Sequence, residues 1–141
     1  MQFKMFSALL LLFLAFAQAG QAQTNRNVGA TGGNAIEVID FHNTHRCKTC
    51  LAIEAAAKEV VYNQFGAAVQ SGKLLFKTVN VDEAANAALA ERFEASGSAL
   101  FVYNPKTGNA VDLTEFAFTY GMSDPAKLKE GIKNAIYKAL N

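Results

Sequence analysis

Ile36-Glu37-Val38-Ile39-Asp40-Phe41 is a short run rich in β-branched and aromatic residues, and a short connection later the chain reaches Cys47-Lys48-Thr49-Cys50. The run has the composition of a strand, whereas the apolar residues from Cys47 to about Val69 recur with the period of a helix. A strand that feeds a helix through a cysteine pair puts Cys47 at the helix start. There, unpaired backbone N–H groups and the positive end of the macrodipole favour thiolate over thiol. His45, Arg46 and Lys48 add positive charge nearby. Cys50 follows within one turn, close enough for a reversible disulfide, so Cys47 is the expected attacking thiolate and Cys50 the resolving thiol.

These are the only two cysteines in the chain. A pair separated by two residues closes a loop too small to restrain the unfolded chain much, which makes it a poor structural staple. A metal is another use for it. His42 and His45 complete a His-x2-His-x-Cys-x2-Cys cluster, four soft or borderline ligands that suit zinc or cuprous copper if a strand end, a loop and a helix start converge. Thiol redox chemistry is the leading reading. Metal binding or delivery through His42, His45, Cys47 and Cys50 is the first alternative, and a non-catalytic interaction module is the second.

Toward the N-terminus, Met1 to Ala19 carries one early cation, Lys4, and an apolar run from Phe6 to Ala17. That run is too short and too near the terminus for an ordinary spanning helix, so 1–19 is expected to be a secretory signal. Ala17-Gln18-Ala19 matches a cleavage site, and cleavage as late as Ala22 is the other option. Residues 20–34 are polar and glycine-bearing, as in a flexible linker. Residues 35–141 suit one domain with a normal core. The expected location is therefore exported, periplasmic or secreted, where disulfides persist. Thirteen Lys and Arg against twelve Asp and Glu, with no basic block, argue against nucleic acid or an anionic membrane as the main partner. The mature chain is not expected to span a membrane.

Toward the C-terminus, Leu51, Ala55, Val61, Phe65 and Ala68 or Val69 form an apolar stripe expected to pack in the core. Leu74 to Val81 reads as a second strand, and Asp82 is placed to cap a helix carrying Ala85, Ala88, Leu89 and Phe93. Ala99 to Tyr103 and Ala110 to Phe116 read as a hairpin across Asn104-Pro105-Lys106-Thr107-Gly108-Asn109. Phe116, Phe118 and Tyr120 alternate in strand fashion and are read as core. Asp124-Pro125 opens an amphipathic closing helix with Leu128, Ile132, Ile136 and Leu140 on its apolar face. The order β-α-β-α-β-β-α, without an internal repeat, predicts an α/β domain with a mixed central sheet and helices on both faces.

From about Ile36 to Leu140 this order resembles the thioredoxin superfamily. Asp40-Phe41 leading into Cys47-Lys48-Thr49-Cys50 is similar to its strand and active-site corner, Val79-Asn80-Val81-Asp82 to the next strand and its exit, and Gly97 to Tyr103 with the hairpin to the third segment. Arg46 stands where an aromatic residue commonly precedes the first cysteine, and the connection from Asp40 to Cys47 is one residue longer. Ser98-Ala99 occupies the groove position opposite the CxxC, where superfamily members usually carry a cis-proline. A non-proline cis bond costs roughly 3 kcal/mol, so a trans peptide and a differently shaped groove are expected. The His-Arg-Cys-x-x-Cys corner followed by Ile53-Glu54-Ala55 is similar to a small group of exported bacterial proteins catalogued as ArsF-type, or nitrophenyl compound nitroreductase subunit. The chain has no visible flavin-binding signature, and nitroreduction by this chain alone is not expected.

The resemblance implies a thioredoxin-like fold and a thiol:disulfide oxidoreductase that uses a redox-active disulfide and no other cofactor, with a thiol or disulfide protein as partner. It also places Asp40 where a buried acid assists proton transfer at the resolving cysteine. Such an acid has a raised pKa and can take the Cys50 proton. The alternative is an Asp40 that serves only in a local hydrogen bond.

Overall fold

Strand β1 (Ile36–His42) is apolar on both sides of its alternation. Ile36 and Val38 face one core, Ile39 and Phe41 face the other, and all four are buried. A strand apolar on both faces belongs at the centre of a covered sheet, and that is its place in the computed structural model, which describes residues 33–141. The expected signal at 1–19 and the linker through residue 32 lie outside the described residues.

Strand β2 (Leu74–Asn80) pairs with β1 in parallel, and β3 (Ala99–Asn104) pairs antiparallel on its other side. Strand β4 (Asn109–Asp112) extends the sheet antiparallel to β3, giving the order β2-β1-β3-β4. The protein is thus α/β, with a four-stranded mixed sheet. Helix α1 (Lys48–Glu59) continues through a single π-helical turn (Val60–Gln64) into α2 (Gly66–Gln70). Helices α3 (Ala87–Arg92), α4 (Thr114–Tyr120) and α5 (Pro125–Leu140) complete the chain.

One face of the sheet packs Ile36, Val38, Leu74, Leu100 and Val102 against Ile53, Ala57, Val60 and Val61 of α1 and its π turn, Ala117 of α4, and Leu128, Ile132 and Ile136 of α5. The opposite face packs Ile39, Phe41, Phe101 and Tyr103 against Ala90 and Phe93 around α3. Phe93 is the hub of this second cluster, with ring centroids 5.5 Å from Phe41, 5.2 Å from Phe101 and 5.3 Å from Tyr103. Tilted and edge-to-face aromatic pairs of this kind are favourable beyond their buried area. The closing helix starts as its sequence predicts: Pro125 stands in the first turn, and the Asp124 carboxylate accepts from the Lys127 N–H at 3.0 Å. The β3–β4 hairpin turns through Gly108, whose φ of 72° is the left-handed conformation glycine adopts freely.

Several expectations are corrected. The strand expected over Ala110 to Phe116 ends at Asp112, because the Asp112 carboxylate accepts from the Thr114 N–H at 2.8 Å and a helix starts there. Phe116, Phe118 and Tyr120 therefore lie on α4 rather than alternating across a strand. Phe116 and Tyr120, four apart on one face, pack on the core, while Phe118 is 41% exposed. The first helical stripe holds at Val61, which is buried, and at Phe65, Ala68 and Val69, which pack against the core, but it is out of phase at its start: Leu51 is 51% exposed and Ala55 is also exposed, whereas Ile53, Ala56, Ala57 and Val60 are buried. At 3.6 residues per turn, Leu51 sits about 160° around the helix from Ile53. Nor is the helix continuous to Val69, since the π turn and Phe65, at φ −119° and ψ 24°, interrupt it. Finally, Asp82 caps no helix. The turn that follows it, Ala84–Asn86, has no side-chain cap, Ala85 and Ala88 are exposed, and α3 has only six residues. Asp82 turns back to the loop before the cysteines.

Candidate functional site

The cysteines lie where the C-terminal end of β1 gives way to α1. Cys47 is the N-cap of α1, with extended backbone (φ −80°, ψ 164°), and its Sγ accepts from the Cys50 N–H at 3.1 Å. The first turn of α1 contains no acidic side chain to offset the positive end of the helix. Cys47 and Cys50 form a disulfide with their Cα atoms 5.1 Å apart. The two sulfurs are not equivalent: Cys47 is exposed, and Cys50 is buried at 8% exposure. An incoming thiolate meets Cys47 first, and Cys50 is screened behind it.

Beneath Cys50 is a cavity of about 10 Å³, roughly one water position. Asp40, Ile53, Ser98, Ala99, Thr114 and Phe118 are among the residues lining it. Ser98 Oγ lies 3.4 Å from Cys50 Sγ. The Ser98–Ala99 peptide is trans, as is every peptide among the described residues. Helix α4 closes one wall, anchored where Thr114 Oγ1 accepts from the Leu100 N–H at 3.1 Å.

The loop from β1 to Cys47 is tied to the exit of β2. The Asp82 carboxylate accepts from Asn43 Nδ2 at 3.0 Å and from the Thr44 N–H at 2.7 Å, and Asn80 Nδ2 donates to Thr44 Oγ1 at 3.1 Å. The hydrogen bonds from Thr44 and Asn43 hold the Asp82 carboxyl below the usual range. This is the work of the acid read from sequence as a helix cap.

A charged chain runs from the cavity to the surface. Asp40 is 3% exposed, and Arg46 Nη2 reaches its carboxylate at 2.8 Å. Arg46 Nη1 pairs with Glu54, whose other oxygen pairs with Lys58. Burial is the largest influence on Asp40 and pushes its pKa up to about 6, with the Glu54 charge acting in the same direction. The Arg46 and His42 charges and the Arg46 hydrogen bond oppose that rise. Glu54 moves the other way: burial raises it, but hydrogen bonds from Lys58 and Arg46 and their charges together hold it below the ordinary value.

The other residues singled out in the sequence divide by position. The Arg46 guanidinium is held by Asp40 and Glu54. His45 and Lys48 are exposed around Cys47. His42 is half-buried, with ring Nδ1 3.0 Å from the Asn43 carbonyl oxygen. Among the described residues, no group of three or more His, Cys, Asp or Glu side chains is gathered as a metal cage would require. No helix among them is long and apolar enough to cross a membrane.

Glu54, Thr114 and Phe118 join the site without having been assigned to it from sequence. Glu54 was legible in principle, since it stands one turn after Cys50 and pairs with Lys58 at i+4. Thr114 and Phe118 were not, because their stretch reads as a strand. The chain matches no protein-family profile, no curated protein and no solved structure.

Proposed function

We infer that this chain is an exported, thioredoxin-like thiol:disulfide oxidoreductase acting on a protein partner. The observation that carries this reading is the asymmetric cystine: Cys47 exposed at a helix N-terminus, Cys50 buried behind it over a cavity that Asp40 also lines. The four-stranded mixed sheet with helices on both faces supports the thioredoxin-like assignment.

In the reducing direction the chain begins as a dithiol. The Cys47 thiolate attacks a partner disulfide, forming a Cys47–partner bond and releasing one partner sulfur as thiolate. Cys50 then gives its proton to the Asp40 carboxylate, directly or through the one-water cavity, and the Cys50 thiolate attacks Cys47 Sγ. The Cys47–Cys50 bond forms, the Cys47–partner bond breaks, and the second partner sulfur leaves as thiolate. Two electrons have passed to the partner. Run in reverse, the same steps oxidise a partner dithiol.

The test is trapping. Cys50→Ser should accumulate a reducible covalent adduct with disulfide partners through Cys47, and Cys47→Ser should accumulate none. A Cys50→Ser protein that traps nothing in a periplasmic or secreted extract, and nothing from glutathione disulfide, overturns the reading.

A further inference from the structure

Resting on the oxidoreductase reading above, we propose that Arg46 and Glu54 are a matched pair of positioning residues: one guanidinium shared between two carboxylates governs when Asp40 is free to take the Cys50 proton. Arg46 directly precedes Cys47, and its side chain is only 17% exposed, lodged between β1 and α1. Its two terminal nitrogens go to different carboxylates, Nη2 to Asp40 and Nη1 to Glu54. A guanidinium used only as a clamp commonly meets one carboxylate with two parallel bonds. Here that geometry is given up, and Nε is buried with no hydrogen-bond partner. The arrangement divides one positive charge between two acids, of which only Asp40 lines the Cys50 cavity.

The charges facing Asp40 can be named element by element. The loop before α1 supplies Arg46, α1 supplies Glu54, and β1 itself supplies His42. β2 places Thr78 beside Asp40 and β3 places Leu100 beside it, both uncharged. From α4 the cavity receives Thr114, Ala117 and Phe118, none of them charged. Lys58 acts one step removed, holding the far oxygen of Glu54 and keeping that carboxylate ionised and in place. Asp40 is thus set between one adjacent cation and one adjacent anion in a site that screens neither fully.

The two neighbours therefore act with opposite sign. Removing the Arg46 charge leaves a buried carboxyl beside a carboxylate, so Asp40 stays protonated to higher pH and cannot accept the Cys50 proton at neutrality. Removing the Glu54 charge leaves Arg46 to Asp40 alone, so Asp40 ionises at lower pH. A scaffold role for the same residues predicts no such opposition.

The experiment uses the mature chain carrying glutathione on Cys47 as a mixed disulfide, in buffer with a metal chelator, and follows glutathione release by Cys50 in single turnover from pH 4 to 9. In the wild type the acid limb of the rate should fall near the Asp40 value of about 6. Arg46→Gln should move that limb up by roughly one to three pH units, Glu54→Gln should move it down, and Arg46→Lys should restore most of the wild-type position. Limbs that move in the same direction, or not at all, overturn the proposal. If Arg46→Gln does not fold, Glu54→Gln alone decides, since only a downward shift is compatible. A wild type in which Cys50 releases no glutathione at any pH refutes the oxidoreductase reading itself, a different result from a wild type that releases it with variants that leave the limb unmoved.

Discussion

Replacing Asp40 with Asn should make the protein more stable at neutral pH and remove a specific pH dependence. Asp40 is 3% exposed, and burial carries its pKa from 3.8 to about 6. Its folded value is thus raised above its unfolded value. The stability tied to the neutral acid is fully present below about pH 4 and is lost as pH rises toward and through 6. A rise of about 2 units, at about 1.4 kcal/mol per unit, is about 3 kcal/mol. Asn is nearly isosteric, stays neutral at every pH, and its side-chain oxygen can still accept from Arg46 Nη2. The assay is urea unfolding of the oxidised wild type and Asp40→Asn from pH 3 to 8, taking the difference so that groups common to both cancel. The variant's advantage should grow by about 3 kcal/mol between pH 3 and pH 7. A difference flat across that range would refute the account of Asp40 as a buried acid ionised at a cost. The same substitution should slow glutathione release by Cys50 about 10²- to 10⁴-fold, the usual worth of a positioned proton acceptor.

Three further outcomes follow from other parts of the structure. Asp82→Ala removes the acceptor for Asn43 and the Thr44 N–H, so the Thr44 amide should lose hydrogen-exchange protection while amides in β1 keep theirs; unchanged Thr44 protection would mean that the loop is held otherwise. Gly121→Ala should cost about 1–3 kcal/mol by overpacking, because its Cβ would lie 2.7 Å from the Ala117 carbonyl oxygen and 3.1 Å from Ile53; thermal unfolding equal to wild type would show that α4 is not docked on α1 as described. Ile132→Ala, at a fully buried position in the α5 face, should cost about 2–5 kcal/mol, and a loss under 1 kcal/mol in urea unfolding would place α5 outside the core.

The corner that bears the Cys47–Cys50 disulfide was legible because its signals are local. Two cysteines two residues apart, a β-branched run before them and a helical period after them place Cys47 at a helix start without any tertiary information. The same holds for the closing helix, since Asp124-Pro125 states its own beginning. Helix α4 was not legible. Phe116, Phe118 and Tyr120 satisfy a two-residue alternation as well as a helical face, and the contact that ends β4, from the Thr114 N–H to the Asp112 carboxylate, is a short-range hydrogen bond that hydrophobic periodicity does not see. Asp82 shows the complementary failure. Asp before a helical pattern has cap chemistry, but its partners, Asn43 and Thr44, come from a loop nearly forty residues earlier. The sharing of Arg46 between Asp40 and Glu54 likewise depends on how β1 and α1 face each other, which spacing alone does not specify.

The most direct test of the redox claim is the reduction potential of the purified mature protein, titrated in glutathione or dithiothreitol buffers and read by alkylation of Cys47 and Cys50. A redox-active Cys47–Cys50 pair should show a reversible two-electron couple between about −120 and −270 mV, the span of known oxidoreductases. A couple below about −300 mV would instead mark Cys47–Cys50 as a structural disulfide and contradict the account.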